Sequence, residues 1–361
     1  MKVAIFHDYF GAIGGGERVA LQMAKILDAD IITTDTDAVR RIDPTVRVIS
    51  LGKTIKFPPL KQVSASLMFA TCDFSSKYDF FIFSGNWAHY ASRRHHPNLW
   101  YCFTPVRAFY DLYPIFLSRQ DPLTRQFFLT WVGLHRRFDQ RSVCDIDRII
   151  AISKNVRTRI LKYHHRDAEV IYPPVDAKRY KFIEYGDFWL SVNRLYPEKR
   201  IDLQIEAFRR LPEERLAIVG GYAHGDHASR YAEGLISDLP PNVTILGEVG
   251  EDELRGLYAR CRGHICTAMD EDYGLTPLEA MASGKPVIAV REGGYLETVT
   301  EETGIFVQAK MDQIVDAVRS ISRDPSRYRI PCESRARSFS CARFRDQLKA
   351  AITAGDPQST P

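Results

Sequence analysis

The chain has 361 residues, 45% of them hydrophobic and 26% charged, with a formal net charge of +4. That length and apolar content exclude a disordered or fibrous polypeptide and favour two domains of ordinary size, each able to bury a core. The small, dispersed basic excess gives no reason to expect nucleic acid, although it suits weak attraction to an anionic membrane face. Seven cysteines, without a C-x-x-C pair, fit small buried thiols in a reducing compartment; Cys261 and Cys266 fall at a helix end and on a strand. The chain starts with a strand rather than a basic and apolar leader, and no stretch approaches the ~20 apolar residues of a membrane span. The expected location is the cytoplasm, with peripheral contact at the inner membrane face.

The first strand, within "KVAIFHDY", runs into "GAIGGGERVA", a glycine-rich turn ahead of a helical pattern. Backbone N–H groups at such a turn can meet a phosphate. Further strands are predicted at "ADIITT", "DFFIFS", "LWYCFT" and "RIIAIS", and after residue 172 at "FWLSV", "RLAIVG", "NVTILG", "GHICTA" and "KPVIAV". These nearly continuous apolar runs, alternating with amphipathic helices, predict an α/β chain with parallel sheets buried on both faces. Residues 105–142 carry no strand pattern and set aromatics beside arginines, which predicts helical packing with a cationic aromatic surface suited to a lipid face or an acceptor.

"YPPVD", residues 172–176, reads as a linker because its prolines remove donors and fix the backbone. The expected organisation is two doubly wound, Rossmann-like domains facing a cleft: 1–172 for the acceptor, 173–335 for a nucleotide sugar. A helix over 336–352, carrying Phe339, Phe344 and Leu348 on one face, is expected to cross back to the first domain, and the tail 353–361 to be disordered.

The most informative stretch is "CTAMDEDYGLTPLEAMASGKPVIAV", residues 266–290. Its spacing predicts a loop with Asp270, Glu271 and Asp272, then a helix with Thr276 as N-cap, Pro277 first and Glu279 closing a capping box, ended by Gly284. The loop offers N–H groups at a helix N-terminus with carboxylates close by, an arrangement suited to a ligand that joins phosphate to hydroxyls. "SVNRLYPEKRIDLQIEAF" adds Arg194 and Lys199 after a strand of the same half, two cations matched to a diphosphate leaving group. Taken singly, Glu279 reads as a cap and the two cations as surface charges.

With these motifs the chain resembles the retaining GT-B glycosyltransferases of family GT4 over nearly its full length. The resemblance lies in Gly14, Gly15 and Glu17, in the Arg-Leu-x-x-x-Lys from Arg194 to Lys199, and in the Glu-x7-Glu of Glu271 and Glu279. "YCFTPVRAFYDLY" and "EDYGLTPLEAMASGKPVIAVREGGYLETV" look most like the mannosyltransferase branch that builds surface polysaccharides from GDP-mannose. The resemblance implies that Glu279 binds the ribose hydroxyls, that Glu271 contacts the transferred sugar, and that Arg194 and Lys199 grip the diphosphate. It implies further that Asp272, Tyr273, Gly274, Leu275 and Thr276 line the donor, with the amides of the last three on sugar and phosphate, and that Gly14, Gly15 and Gly16 close over the diphosphate. No metal or other cofactor is implied beyond the nucleotide-sugar donor; the partner is a glycan or lipid-linked acceptor.

Phe103 stands where similar sequences carry a histidine that touches the donor sugar. His7, His89, His95 and His96 are candidate replacements, His89 the best placed, and Arg107 is a further candidate acceptor contact. Phe103 keeps open a non-catalytic, nucleotide-sugar-binding homologue. An NAD-dependent oxidoreductase is disfavoured, because Val19 replaces the third glycine of Gly-x-Gly-x-x-Gly and the acidic residue would have to be Asp35 or Asp37. A metal-dependent Asp-x-Asp transferase would use Asp28–Asp30, Asp35–Asp37 or Asp145–Asp147, which read better as caps and solvated edges.

Overall fold

A computed structural model of the chain describes residues 1–10, 14–36, 45–56, 60–222 and 229–354. The contacts divide it into one unit of Met1–Pro173 with Ala342–Pro361 and a second of Pro174–Cys341. In chain order the first unit holds β1 (Val3–Tyr9), α1 (Gly15–Leu27), β2 (Asp30–Thr34), β3 (Val48–Ser50), α2 (Leu60–Thr71) and β4 (Phe80–Ser84). A 3-10 turn at Ala88–Arg94 precedes β5 (Asn98–Cys102), α3 (Tyr113–Ser118), α4 (Pro122–Cys144), β6 (Arg148–Ala151), α5 (Lys154–His164) and β7 (Glu169–Val170). The second unit follows with β8 (Phe188–Val192), α6 (Ile201–Arg209), β9 (Arg215–Val219), α7 (Ser229–Ser237), β10 (Val243–Gly247), α8 (Glu251–Arg260) and β11 (Gly263–Cys266). It ends with α9 (Leu275–Ala282), β12 (Val287–Val290), α10 (Tyr295–Thr298), β13 (Gly304–Val307), α11 (Met311–Arg323) and α12 (Arg329–Arg337); α13 (Cys341–Thr353) closes the described chain.

Both sheets are parallel, ordered β3-β2-β1-β4-β5-β6-β7 and β10-β9-β8-β11-β12-β13. Strands β1, β2, β4 and β5 are buried along nearly their whole length, as strands covered on both faces must be. Strands β3, β7 and β13, which the apolar-run reading did not foresee, all lie at sheet edges. An edge strand pairs on one side only and can be short, so its sequence signal is weak. In each sheet the strand order reverses direction once, between β1 and β4 and between β8 and β11, and ligands of such sheets bind outside the carboxyl ends of strands at that point.

The last helix begins at Cys341, later than the expected 336, because α12 occupies Arg329–Arg337 and the Ser338 hydroxyl closes it by donating to the Arg335 carbonyl at 2.7 Å. Helix α13 is part of the first unit: the Phe344 ring meets Tyr101 edge-on at 5.9 Å and the Arg148 guanidinium donates to the Ala351 carbonyl. Phe339 does not belong to this helix; it lies in the second unit, edge-on to Tyr273 at 6.1 Å and under the Arg335 guanidinium. Of the expected tail, residues 355–361 lie outside the described residues. Among the described residues, no helix is long and apolar enough to cross a membrane.

Candidate functional site

In the second unit the switch point brings together the loops that leave β8 and β11. After β8, Asn193 N–H donates to Val219 at 2.9 Å and Leu195 N–H to Gly221 at 3.0 Å, so the chain runs directly against the end of β9. Gly220 permits this at φ +135; any Cβ there would stand 1.8 Å from the Asn193 oxygen. A single 3-10 turn, Pro197–Lys199, then carries Lys199 to the site before Arg200, at φ 51, opens α6. The Thr267 hydroxyl lies 2.8 Å from the Lys199 carbonyl and accepts from Gln204 Nε2 at 2.7 Å, while Met269 N–H donates to Glu198 at 2.8 Å. Buried bonds of this kind fix the two loops in one register.

That register sets Lys199 Nζ 2.6 Å from Glu271 Oε2, in a half-buried pair. The same oxygen lies 3.5 Å from the buried Tyr295 hydroxyl, and the Glu271 carbonyl accepts from Gly294 N–H at 2.7 Å. Gly293 sits at φ +57 with room for no side chain, since a Cβ would fall 2.5 Å from the Glu271 oxygen. One residue earlier, Glu292 joins Arg200 at 2.9 Å and accepts from Asp270 N–H at 3.2 Å. Arg194 is exposed at the head of the β8 loop, and among the described residues its guanidinium has no carboxylate partner.

The helix start differs from the expectation. Gly274, at φ 98, is the N-cap, and Leu275, Thr276 and Pro277 form the first turn. Thr276 is therefore inside the helix, and its side chain bonds the Cys266 thiol, whose pKa burial pushes up. A glycine in the left-handed region lets the loop turn into the helix within one residue, which a threonine cap would not allow here. Glu279 lies a turn further in, buried, and its Oε2 accepts from the Tyr258 hydroxyl at 3.0 Å. Tyr273 is buried beside the turn and Asp272 is half-buried.

A carboxylate and an ammonium thus stand at the carboxyl ends of adjacent parallel strands, next to a helix start with no side-chain cap. Residues 176–338 match the model of the family described as glycosyl transferases group 1. The matched stretch lies wholly within the second unit. It is similar to the α-1,3/1,6-mannosyltransferase ALG2 of Dictyostelium discoideum, 32% identical over 164 residues, which cover 38% of this chain and 38% of that protein. The D-inositol 3-phosphate glycosyltransferase of Mycobacterium avium is 27% identical over 208 residues, 52% of this chain and 49% of the relative. The chain thus spans about half or less of the length of these curated relatives. Among solved structures, HepE of Anabaena in complex with UDP-glucose superposes with a TM-score of 0.79 over 98% of this chain and 100% of that one, at 18% identity. The fold is GT-B, with one parallel α/β sheet in each unit.

Outside the matched stretch, the first unit places the other expected residues. Gly14 is the N-cap of α1, and its N–H donates to Glu17 Oε2 at 2.9 Å, so the chain's own carboxylate occupies that donor. Gly15 opens the helix; a Cβ on Gly16 would stand 3.5 Å from the Phe103 ring. Phe103 also meets His7 and Tyr101 edge-on. His89 is not the available histidine that its position suggested: it is buried, stacked on Trp100 at 4.7 Å, with Nε2 3.1 Å from Asp139. His7 is buried against the Ser84 hydroxyl at 2.9 Å, and burial lowers its pKa. His95 is held between Ala91 and Phe74, and His96 pairs with Asp147. Arg107 forms an i,i+4 pair with Asp111 at 2.8 Å. Among the aspartate triplets, Asp30 is committed to Arg47 at 2.6 Å and to the Tyr78 hydroxyl at 2.7 Å, while Asp37 lies outside the described residues.

Sequence reasoning did not assign roles to Tyr258, Glu292, Gly293 or Tyr295. The signal for two of them was the adjacent glycine pair in "REGGYLE": paired glycines after a buried strand mark a close backbone approach. Nothing local marks Tyr258, which acts from another helix.

Proposed function

We propose that the protein is a retaining, metal-independent hexosyltransferase of the cytoplasm that moves mannose from GDP-mannose to a hydroxyl of a lipid-linked or growing glycan. The observation that carries the reading is the Lys199–Glu271 pair, held where the strand order of the second sheet reverses and next to the start of α9. A diphosphate needs its developing charge neutralised as it leaves, and Lys199, Arg194 and the free N–H groups of the first turn of α9 are suited to that. Lys199 has three donors, so it can hold Glu271 and a phosphate oxygen together. Glu271 is assigned to the sugar hydroxyls and Glu279 to the ribose. The donor is assigned to the second unit and the acceptor to the first.

In the transfer, the bond between the anomeric carbon and the phosphate oxygen breaks, and the acceptor oxygen bonds that carbon on the same face. The acceptor proton passes to the departing phosphate, so the step needs no separate base. Mannose is favoured by the mannosyltransferase relatives and by the resemblance of the 271–299 stretch. A second reading, a nucleotide-sugar-binding protein without transfer, is favoured by one residue, Phe103.

A thermal-shift screen against GDP, UDP, ADP, their sugars and NAD tests the assignment, because a ligand that binds only the folded state raises the melting temperature. GDP and GDP-mannose are expected to stabilise most. Stabilisation by NAD and by no nucleotide sugar would overturn the reading, and GDP-mannose binding without release of GDP to any glycan would favour the second one.

A further inference from the structure

Helix α4 begins at a well-made cap: Asp121 accepts from the N–H groups of Leu123 and Thr124, and Pro122 takes the first position. Its inner face, with Phe128, Val132, His135, Asp139 and Val143, is buried in the first unit. Its outer face is also apolar. Leu123 is 87% exposed, Phe127 58%, Leu134 50% and Phe138 59%. At about 100° per residue these four fall within about 60° of one another and form a stripe about 22 Å long. Single exposed hydrophobes need no explanation, but four aligned on one helix do.

The charge around the stripe has one sign. Arg137 and Arg141 are exposed on the side of the helix that carries the stripe, and among the described residues neither pairs with a carboxylate; Arg125 is also exposed but lies on the opposite side. The only other charges on α4 are Arg136, half-buried over the Tyr113 ring, and the buried Asp139; Asp121 is spent on the cap. Elsewhere in the same unit some exposed arginines are paired, as Arg157 is with Asp167 at 2.7 Å, and others, such as Arg119, are not paired among the described residues.

We propose that this face of α4 is a membrane-docking surface that takes an anionic lipid bilayer, with the leucines and phenylalanines entering the acyl boundary and the arginines meeting headgroup phosphates. An apolar stripe flanked by unpaired cations is what such a surface needs. A second copy of the chain suits it less. In a two-fold contact the same face would supply both sides, so Arg137 and Arg141 would enter the interface with no acid on that face to answer them. The proposal does not depend on which sugar or nucleotide the second unit binds, and its test reads lipid binding alone.

The experiment is co-sedimentation of the full chain with vesicles of phosphatidylcholine, with and without phosphatidylglycerol, alongside light scattering without lipid. Wild-type protein is expected to sediment with the anionic vesicles only, and less as salt rises. The double variant Phe127→Ser/Phe138→Ser, whose side chains are exposed, should keep its melting temperature and lose about tenfold or more of the partition. Arg137→Ala/Arg141→Ala should lose roughly tenfold and much of the salt dependence. Wild-type protein that ignores anionic vesicles, or a phenylalanine variant that binds them equally, would overturn the proposal. So would a wild-type dimer that the same variant converts to a monomer.

Discussion

Lys199 and Glu271, 72 residues apart in sequence, meet at 2.6 Å because the loops after β8 and β11 are fastened to each other through Thr267, Gln204 and Met269. The pair is an outcome of topology: β8 and β11 are neighbours at the point where strand order reverses, and each delivers one charge from its carboxyl end.

Removing the ammonium should cost catalysis more than folding. Lys199→Ala is expected to lower kcat by ~10² or more, because the lost contact is worth most as the diphosphate leaves, and Arg194→Ala should act in the same direction. Steady-state kinetics with GDP-mannose checks both, and unchanged turnover in both variants would contradict the assigned role.

Glu279 separates packing from binding. In Glu279→Gln the amide oxygen can still accept from Tyr258, so the melting temperature should hold while the KM for the donor rises about tenfold. Glu279→Ala leaves the buried Tyr258 hydroxyl without that acceptor and should also cost ~1–3 kcal/mol of stability. Equal loss of stability in the two variants would make Glu279 a packing group.

Gly293→Ala tests whether the turn behind Glu271 must be glycine. At φ +57, with a Cβ 2.5 Å from the Glu271 oxygen, the alanine has to displace the loop, so donor affinity should fall steeply. Titration calorimetry with GDP reads this; an affinity within about twofold of wild type would mean that the turn yields without moving Glu271.

How much of this was legible in the sequence depends on the range of the signal. The buried strands, the GT-B resemblance and the stretches that supply Arg194, Lys199, Glu271 and Glu279 could be read from local patterns. Thr276 misled because its spacing to Glu279 imitates a capping box, whereas the chain reaches the helix through Gly274 at φ 98, and a dihedral angle is not written in a spacing. His89 misled because a histidine after a strand looks exposed to a ligand until Trp100 and Asp139 are brought over it from β5 and α4. Tyr258 and Glu292 act across the fold, and no local pattern announces them. The outer stripe of α4 was blurred because the helix is apolar on two faces, which flattens its periodicity.

Acid should destabilise the protein through its buried histidines. His264, on β11, is fully buried, and desolvation lowers its pKa to about 3 against 6.5 in the unfolded chain. The unfolded state therefore takes up a proton that the folded state refuses, so stability is complete above pH 6.5 and falls as the pH drops toward 3. Between pH 6.5 and 5 this one group accounts for roughly 2 kcal/mol. His264→Leu should show a smaller fall in melting temperature between pH 7 and pH 5 than wild type; an equal fall would assign the acid sensitivity to other groups.

The measurement that bears most directly on the account is calorimetric titration of the full chain with GDP-mannose, in wild type and in Lys199→Ala, without divalent metal. The account predicts saturable binding by wild type and at least ~10-fold weaker binding by the variant, as loss of a charge-assisted contact requires. Equal affinity in the two, or no binding of any nucleoside diphosphate sugar by wild type, would contradict it.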